Sequence, residues 1–353
     1  MTTPGTSRPT RPLKLAIVGC GAAAERCHVP ALPYAPEVQL AALVDPVASH
    51  ARALAGVYAA LGMDPAHVTT ATEIDEIVGT VDLAVVASPH CFHALLAGEL
   101  ARAGIHCLVE KPLALTTDEC DRMMAEADAH QIVLGTAFVR RLFPASVWIR
   151  NMIARGDLGA VRAIRWQEGS PYDWPIVSPS LFVPGLAGGG VVADGGSHIL
   201  DLILWWLDAD RPDTVAYCDT SAGGVESDAM IALEIGAVEV SIELSRLRLL
   251  RNTCVVEGST AAVEFGVDVD SPFVVRSSSG VVLERGIVTA SPPAQAQWER
   301  LFAEQLRNFA AAVRGEEKIY ADGRDGRRVT ALIARCYAAR VPAAIPWREI
   351  RTC

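Results

Sequence analysis

The chain has 353 residues, 51% of them hydrophobic, which is enough for two domains with sizeable cores. A net charge of -10 and an isoelectric point near 5.3 argue against a nucleic-acid or anionic-membrane surface and say little about a neutral substrate. Nine cysteines without a C-x-x-C pair imply reduced thiols in the cytoplasm, and no stretch reaches the ~18 apolar residues of a membrane span.

Residues 1–12, rich in Pro and Thr, predict a disordered lead-in without the apolar core of a signal peptide. Leu13, Leu15, Ala16, Ile17 and Val18 then form a nearly continuous apolar run, the signature of a strand buried on both faces. It leads into Gly19-Cys20-Gly21-Ala22-Ala23-Ala24 and a helix-forming segment through Cys27. The glycines permit a sharp turn whose N–H groups face an anion, and the small Ala24 lets the helix pack close to the strand. A second apolar run, Leu40 to Val44, ends in Asp45, placed to accept hydrogen bonds from an adenosine ribose. Together these predict a dinucleotide site. Cys20 reads as small and buried rather than reactive.

Further along, helices are predicted over 46–62, 72–78, 95–104 and 117–130, and strands over 81–87, 105–109 and 132–138. This alternation predicts a Rossmann-type doubly wound parallel sheet over 13–137, with its ligand outside the carboxyl ends of the strands. Ser88-Pro89-His90, His93 and Glu110-Lys111-Pro112 all follow such strand ends. Lys111 is either a solvated strand-end lysine or an ammonium that stabilises a developing alkoxide.

From Phe138 the pattern changes, predicting a second, α+β domain over 138–353 with a large, mainly antiparallel open sheet. A helix over 146–154 is followed by strands of period two, clearest from Val238 to Leu244, with turns at Gly236, Gly258 and Gly280. Phe302, Leu306, Phe309 and Val313 mark a late amphipathic helix. Between them, Gly188-Gly189-Gly190 precedes Asp194 and His198, four apart on an apolar helix that continues to Asp201. His198 is either a general base that Asp194 fixes or a satisfied core histidine behind an N-cap. Arg140 or Arg141 would suit a phosphate, whereas Arg246 and Arg248 read as a solvated strand face. No set of residues shows a metal-ligand spacing.

These motifs, in this order, resemble the glucose–fructose oxidoreductase/inositol dehydrogenase family, Gfo/Idh/MocA. The resemblance rests on the glycine turn, Ser88-Pro89-His90, Glu110-Lys111-Pro112, Arg141-Leu142-Phe143-Pro144, Gly156-Asp157-Leu158-Gly159, and the triple glycine with Asp194, Gly196 and His198. It implies a dehydrogenase in which Lys111 lies near nicotinamide and substrate and His198 is the acid/base or proton relay. Asp194 completes the expected catalytic set.

Expected cofactor contacts are Gly19, Cys20, Gly21, Ala22, Ala23, Ala24, Asp45, Ser88, Pro89, His90, His93, Glu110 and Lys111. Expected substrate contacts are Lys111, Arg140, Tyr172, Trp174, Asp194 and His198, with Asp173 beside them. The cofactor expected is NAD rather than NADP, because Asp45 would repel a 2′-phosphate and the next basic residue is Arg52. The expected substrate is a sugar, cyclitol or derivative, a nucleotide sugar or aminoglycoside precursor included. By the same resemblance the protein is expected to be a homodimer or homotetramer through the second domain's sheet. NAD-dependent glycoside hydrolysis and dinucleotide sensing without catalysis are the alternatives.

Overall fold

Six short strands, each ending where a polar or glycine-rich turn begins, assemble into one parallel sheet. They are β1 (Leu13–Val18), β2 (Val38–Val44), β3 (Thr69–Ala71), β4 (Leu83–Val86), β5 (His106–Val109) and β6 (Leu134–Thr136), in the order β3-β2-β1-β4-β5-β6. That is the Rossmann order, with its switch point beside β1. The computed structural model describes residues 11–176, 179–221, 224–289 and 297–342. Residues 1–10 of the expected lead-in lie outside them, and Arg11 pairs with Asp82 at 3.2 Å.

Helices α2 (Ala48–Ala60), α3 (His93–Arg102) and α4 (Thr117–Ala129) connect the strands; before them a π turn, Ala24–His28, runs into the short α1 (Val29–Ala31). α4 starts on a capping box between Thr116 and Glu119. The helix expected over 72–78 is instead one 3-10 turn, Ile74–Ile77. β3, just before it, escapes a periodicity reading because only the last of its three residues is buried.

Helix α5 (Pro144–Arg155) ends on the left-handed Gly156 and leads into β7 (Val161–Gly169), followed by α6 (Pro184–Ala187) and α7 (Ser197–Trp206). Seven further strands are β8 (Thr214–Ser221), β9 (Glu226–Ile235), β10 (Val238–Ser245), β11 (Thr253–Gly258), β12 (Ala261–Gly266), β13 (Ser271–Ser277) and β14 (Val282–Val288). After α8 (Gln297–Val313) and α9 (Gly323–Ala338), β15 (Arg340–Pro342) completes a sheet ordered β14-β13-β12-β11-β7-β10-β9-β8-β15. It is antiparallel except where β10 pairs with β7 and β15 with β8. α7 lies in the core over this sheet: Ile199, Leu200, Leu202, Ile203 and Trp206 pack among Trp166, Ile231, Val240 and Ile242. Helix α8, though late in the chain, packs on the first sheet, with Phe302, Leu306 and Phe309 in the same core as Leu15, Ile17 and Val85. None of the described helices is long and apolar enough to cross a membrane.

Arg141 is the buried tie between these parts. Its guanidinium donates twice to Asp201 of α7, at 2.8 and 2.6 Å, and also to Asp325 at 3.1 Å and the Tyr320 carbonyl at 2.6 Å. Burial works against its charge, but Asp201 and then Asp325 overcome this and hold the pKa above the usual arginine range. It is therefore not free for the phosphate considered from sequence. Arg141→Ala would leave the buried Asp201 without its counter-ion, while Asp325 keeps Arg328, and should lower unfolding stability by about 3–5 kcal/mol, read from the midpoint of a urea melt.

Candidate active site

Every candidate of the first half lies at the carboxyl edge of the parallel sheet. Gly19 adopts φ +95, and a Cβ there would meet the Ala87 carbonyl and the Ser88 nitrogen at under 3 Å, so only glycine fits between β1 and the loop after β4. Gly21, by contrast, faces open space, so an anion can approach the backbone of the turn. Cys20 N–H donates to Asp45 Oδ2 at 2.9 Å, and Asp45 Oδ1 takes Val47 N–H at 2.9 Å and contacts His50 Nδ1 at 3.1 Å. A carboxylate offers roughly four acceptor positions, so Asp45 keeps capacity for a ribose hydroxyl. These residues fit a dinucleotide. Burial, with Asp45 nearby, pushes the Cys20 thiol up to about 12, consistent with an inert packing role.

The next two loops are bound to each other. His93 contacts the Ser88 carbonyl at 3.0 Å through Nε2 and the Pro112 carbonyl at 2.9 Å through Nδ1, joining the ends of β4 and β5. Glu110 turns toward the dinucleotide turn, where its Oε1 lies 2.8 Å from Nε2 of the buried His28. Lys111 turns the other way, into the cleft between the domains. His90 donates from Nδ1 to the Ala187 carbonyl at 2.7 Å; burial and the neighbouring His93 and Lys111 lower its pKa to about 4, leaving it neutral.

From the second half, Gly188-Gly189-Gly190 brings Asp194 into the cleft. A Cβ on Gly189 would strike the Tyr337 hydroxyl and one on Gly190 the Glu226 backbone, so the run is glycine because its neighbours touch it. Glu226 fixes this loop by accepting Gly190 N–H at 2.7 Å and Val192 N–H at 3.1 Å, with Tyr337 donating at 2.8 Å. The segment Val192–Gly196 is a π turn, after which α7 begins.

Asp194 uses both oxygens. Lys111 Nζ donates to Oδ1 at 2.7 Å and Arg246 Nη2 to Oδ2 at 2.7 Å. Burial would raise the carboxyl pKa, but Lys111 and then Arg246 hold it far below the usual range. The expected Asp194–His198 couple is not formed: the carboxylate is taken by the two cations, and no hydrogen bond joins it to the imidazole among the described residues. His198 is nonetheless in the same cleft, its ring edge-on to Phe138 at 6.2 Å and its Nδ1 buried without a partner among the described residues. Burial first, then the charges of Lys111 and Arg140, depress its pKa well below 6.5. The imidazole is therefore neutral.

Two arginines depart from their sequence reading. Arg140 does not wait for a phosphate: it forms a two-pronged ion pair with Glu168, both distances 2.7 Å. Arg246 is not on a solvated face but 8% exposed, whereas Arg248 is exposed and pairs with Asp228. The parallel register of β10 with β7 sets Ser245 opposite Gly169, so the loops after them leave side by side and Tyr172 N–H donates to the Arg246 carbonyl at 2.8 Å. The Arg246 guanidinium lies 5.3 Å from the Tyr172 ring centre. Trp174 points elsewhere, with Arg26 of the π turn 5.0 Å from its ring and the first domain's core behind it. Asp173 is exposed.

Residues 13–138 match the family described as an oxidoreductase family with an NAD-binding Rossmann fold, and residues 147–264 match the GFO/IDH/MocA C-terminal domain. The chain belongs to the Gfo/Idh/MocA oxidoreductase family. The family match thus agrees with the resemblance read from the motifs, and an NAD(P) dinucleotide is its cofactor. Among curated relatives, the UDP-N-acetylglucosamine 3-dehydrogenase of Acidithiobacillus ferrooxidans is 25% identical over 265 residues, 73% of this chain and 78% of that protein. The D-glucoside 3-dehydrogenase of Escherichia coli is 30% identical over 203 residues, 56% of this chain and 54% of that protein. The aldose-aldose oxidoreductase of Caulobacter crescentus has the same fold, with a TM-score of 0.80 at 22% identity over 93% of this chain and 97% of that one.

Proposed function

We propose that this protein is an NAD-dependent dehydrogenase that oxidises a secondary hydroxyl of a sugar, a cyclitol or a sugar derivative, or catalyses the reverse reduction. The observation that carries this reading is the meeting of Lys111 from one domain with Asp194 from the other, in a cleft that also holds the neutral His198. The 3-dehydrogenase names of the two curated relatives support a sugar-type substrate.

In this reading Lys111 Nζ donates to the substrate oxygen and stabilises negative charge as the hydroxyl proton leaves. His198 accepts that proton; its depressed pKa keeps it unprotonated at neutral pH. Asp194 positions the Lys111 ammonium rather than the imidazole. Gly19, Gly21 and Asp45 hold the dinucleotide at the switch point. When bound, the nicotinamide would supply the acceptor for the hydride of the carbon that carries this hydroxyl. The protein works as a homodimer or homotetramer through the second sheet, which a light-scattering mass would test.

A screen of sugars, cyclitols and nucleotide sugars for NADH formation tests the reading; no NADH with any of them, from protein shown to bind NAD, would overturn it. The preference for NAD is assigned to Asp45. Asp45→Ser should narrow the ratio of NAD to NADP affinity by about tenfold, or about 1.4 kcal/mol, measured by fluorescence titration with both cofactors. An unchanged ratio would move that preference to another residue.

A further inference from the structure

Two donors of the inner cleft have no partner among the described residues. Lys111 and Arg246 share a single carboxylate, Asp194. Arg140 is matched by Glu168. Burial keeps the imidazoles of His90 and His198 uncharged. Arg246 is 8% exposed; its Nη2 serves Asp194, but its Nη1 is buried without a partner among the described residues. The hydroxyl of Tyr172, whose ring lies against the same guanidinium, is likewise buried and unpartnered. Leaving a guanidinium N–H and a phenol O–H desolvated and unpaired is unfavourable, and an acceptor presented to both relieves it.

We propose that Arg246 and Tyr172 form a subsite for a carboxylate on the substrate, so that the enzyme prefers sugar acids of the uronate type to neutral sugars. This rests on the dehydrogenase reading of Lys111 and His198 and adds the substrate's charge to it. A carboxylate meets the Arg246 guanidinium with opposite charge as well as with acceptor oxygens. Two donors, one charged and one neutral, match the two oxygens of a carboxylate. The Tyr172 backbone is anchored by its bond to the Arg246 carbonyl, while its ring is held by packing against Phe182, 5.3 Å away between centres.

The test is calorimetric titration of the protein saturated with NADH, using D-glucuronate and D-galacturonate against D-glucose and D-galactose. The uronates should bind about 10- to 100-fold more tightly than their neutral parents, the range of a charge-assisted hydrogen bond. Arg246→Gln should abolish that preference. Tyr172→Phe, which keeps the ring and its packing, should reduce uronate affinity several-fold and narrow the preference over the neutral parents. Uronates that bind no better than neutral sugars, or a preference that survives Arg246→Gln, would overturn the proposal. NADH formation from neutral sugars without a uronate preference would remove the carboxylate subsite and leave the dehydrogenase reading standing. No NADH from any sugar would remove both.

Discussion

Lys111→Ala is expected to lower kcat by about 10²- to 10³-fold, the loss found when one preorganised donor to a developing oxyanion is removed, while leaving NAD affinity within a few-fold of the parent. The reasoning is local. Lys111 is the cation that enters the cleft from the nucleotide-binding half, its ammonium 2.7 Å from Asp194 Oδ1. Without it nothing on that side offsets charge on the substrate oxygen. The fold should survive, because Asp194 retains Arg246 at 2.7 Å and is not left as an uncompensated buried carboxylate. Equilibrium NAD titration beside steady-state rates separates the two effects. Turnover within a few-fold of the parent would refute the role given to the lysine.

His198→Asn should lower kcat by about 10²- to 10⁴-fold, the usual contribution of a positioned general base, and should remove the acidic limb of the pH profile. The sign follows from the environment: burial and the charges of Lys111 and Arg140 disfavour the imidazolium, so the folded pKa lies well below 6.5. The base is then already deprotonated at pH 6.5, and kcat/KM for oxidation should stay level down to that pH and fall only below it. A profile that falls through half its maximum above pH 6.5 would contradict the assignment. So would an unchanged limb in the Asn variant.

Much of the first domain is legible in the sequence because its strands are buried on both faces. Leu83–Val86 has every residue buried, and an apolar run of that kind needs no neighbour to be recognised. Gly19 is legible for a similar reason: the left-handed turn and the contact with the loop after β4 are demands that only glycine meets. The partners of Asp194 are not legible. Four-residue spacing suggests His198, but the π turn and the cations from Lys111 and Arg246 decide otherwise. Arg246 sits just past an alternating strand, where an arginine reads as solvated. Only the pairing of β10 with β7, strands far apart in the chain, brings it to Tyr172. Glu226 and Tyr337 are missed in the same way: the triple glycine signals a close neighbour without saying which.

Helix α8 has a consequence for how the enzyme can be divided. Because Phe302, Leu306 and Phe309 complete the core beneath β1 and β4, the polypeptide passes from one half to the other and back again. The nucleotide-binding half is thus not an autonomous N-terminal module, since part of its wall is encoded some three hundred residues from the start. A chimera that exchanges substrate specificity by replacing everything after residue 138 would also replace that wall. A graft that respects the architecture stops short of residue 297 and keeps the native helix.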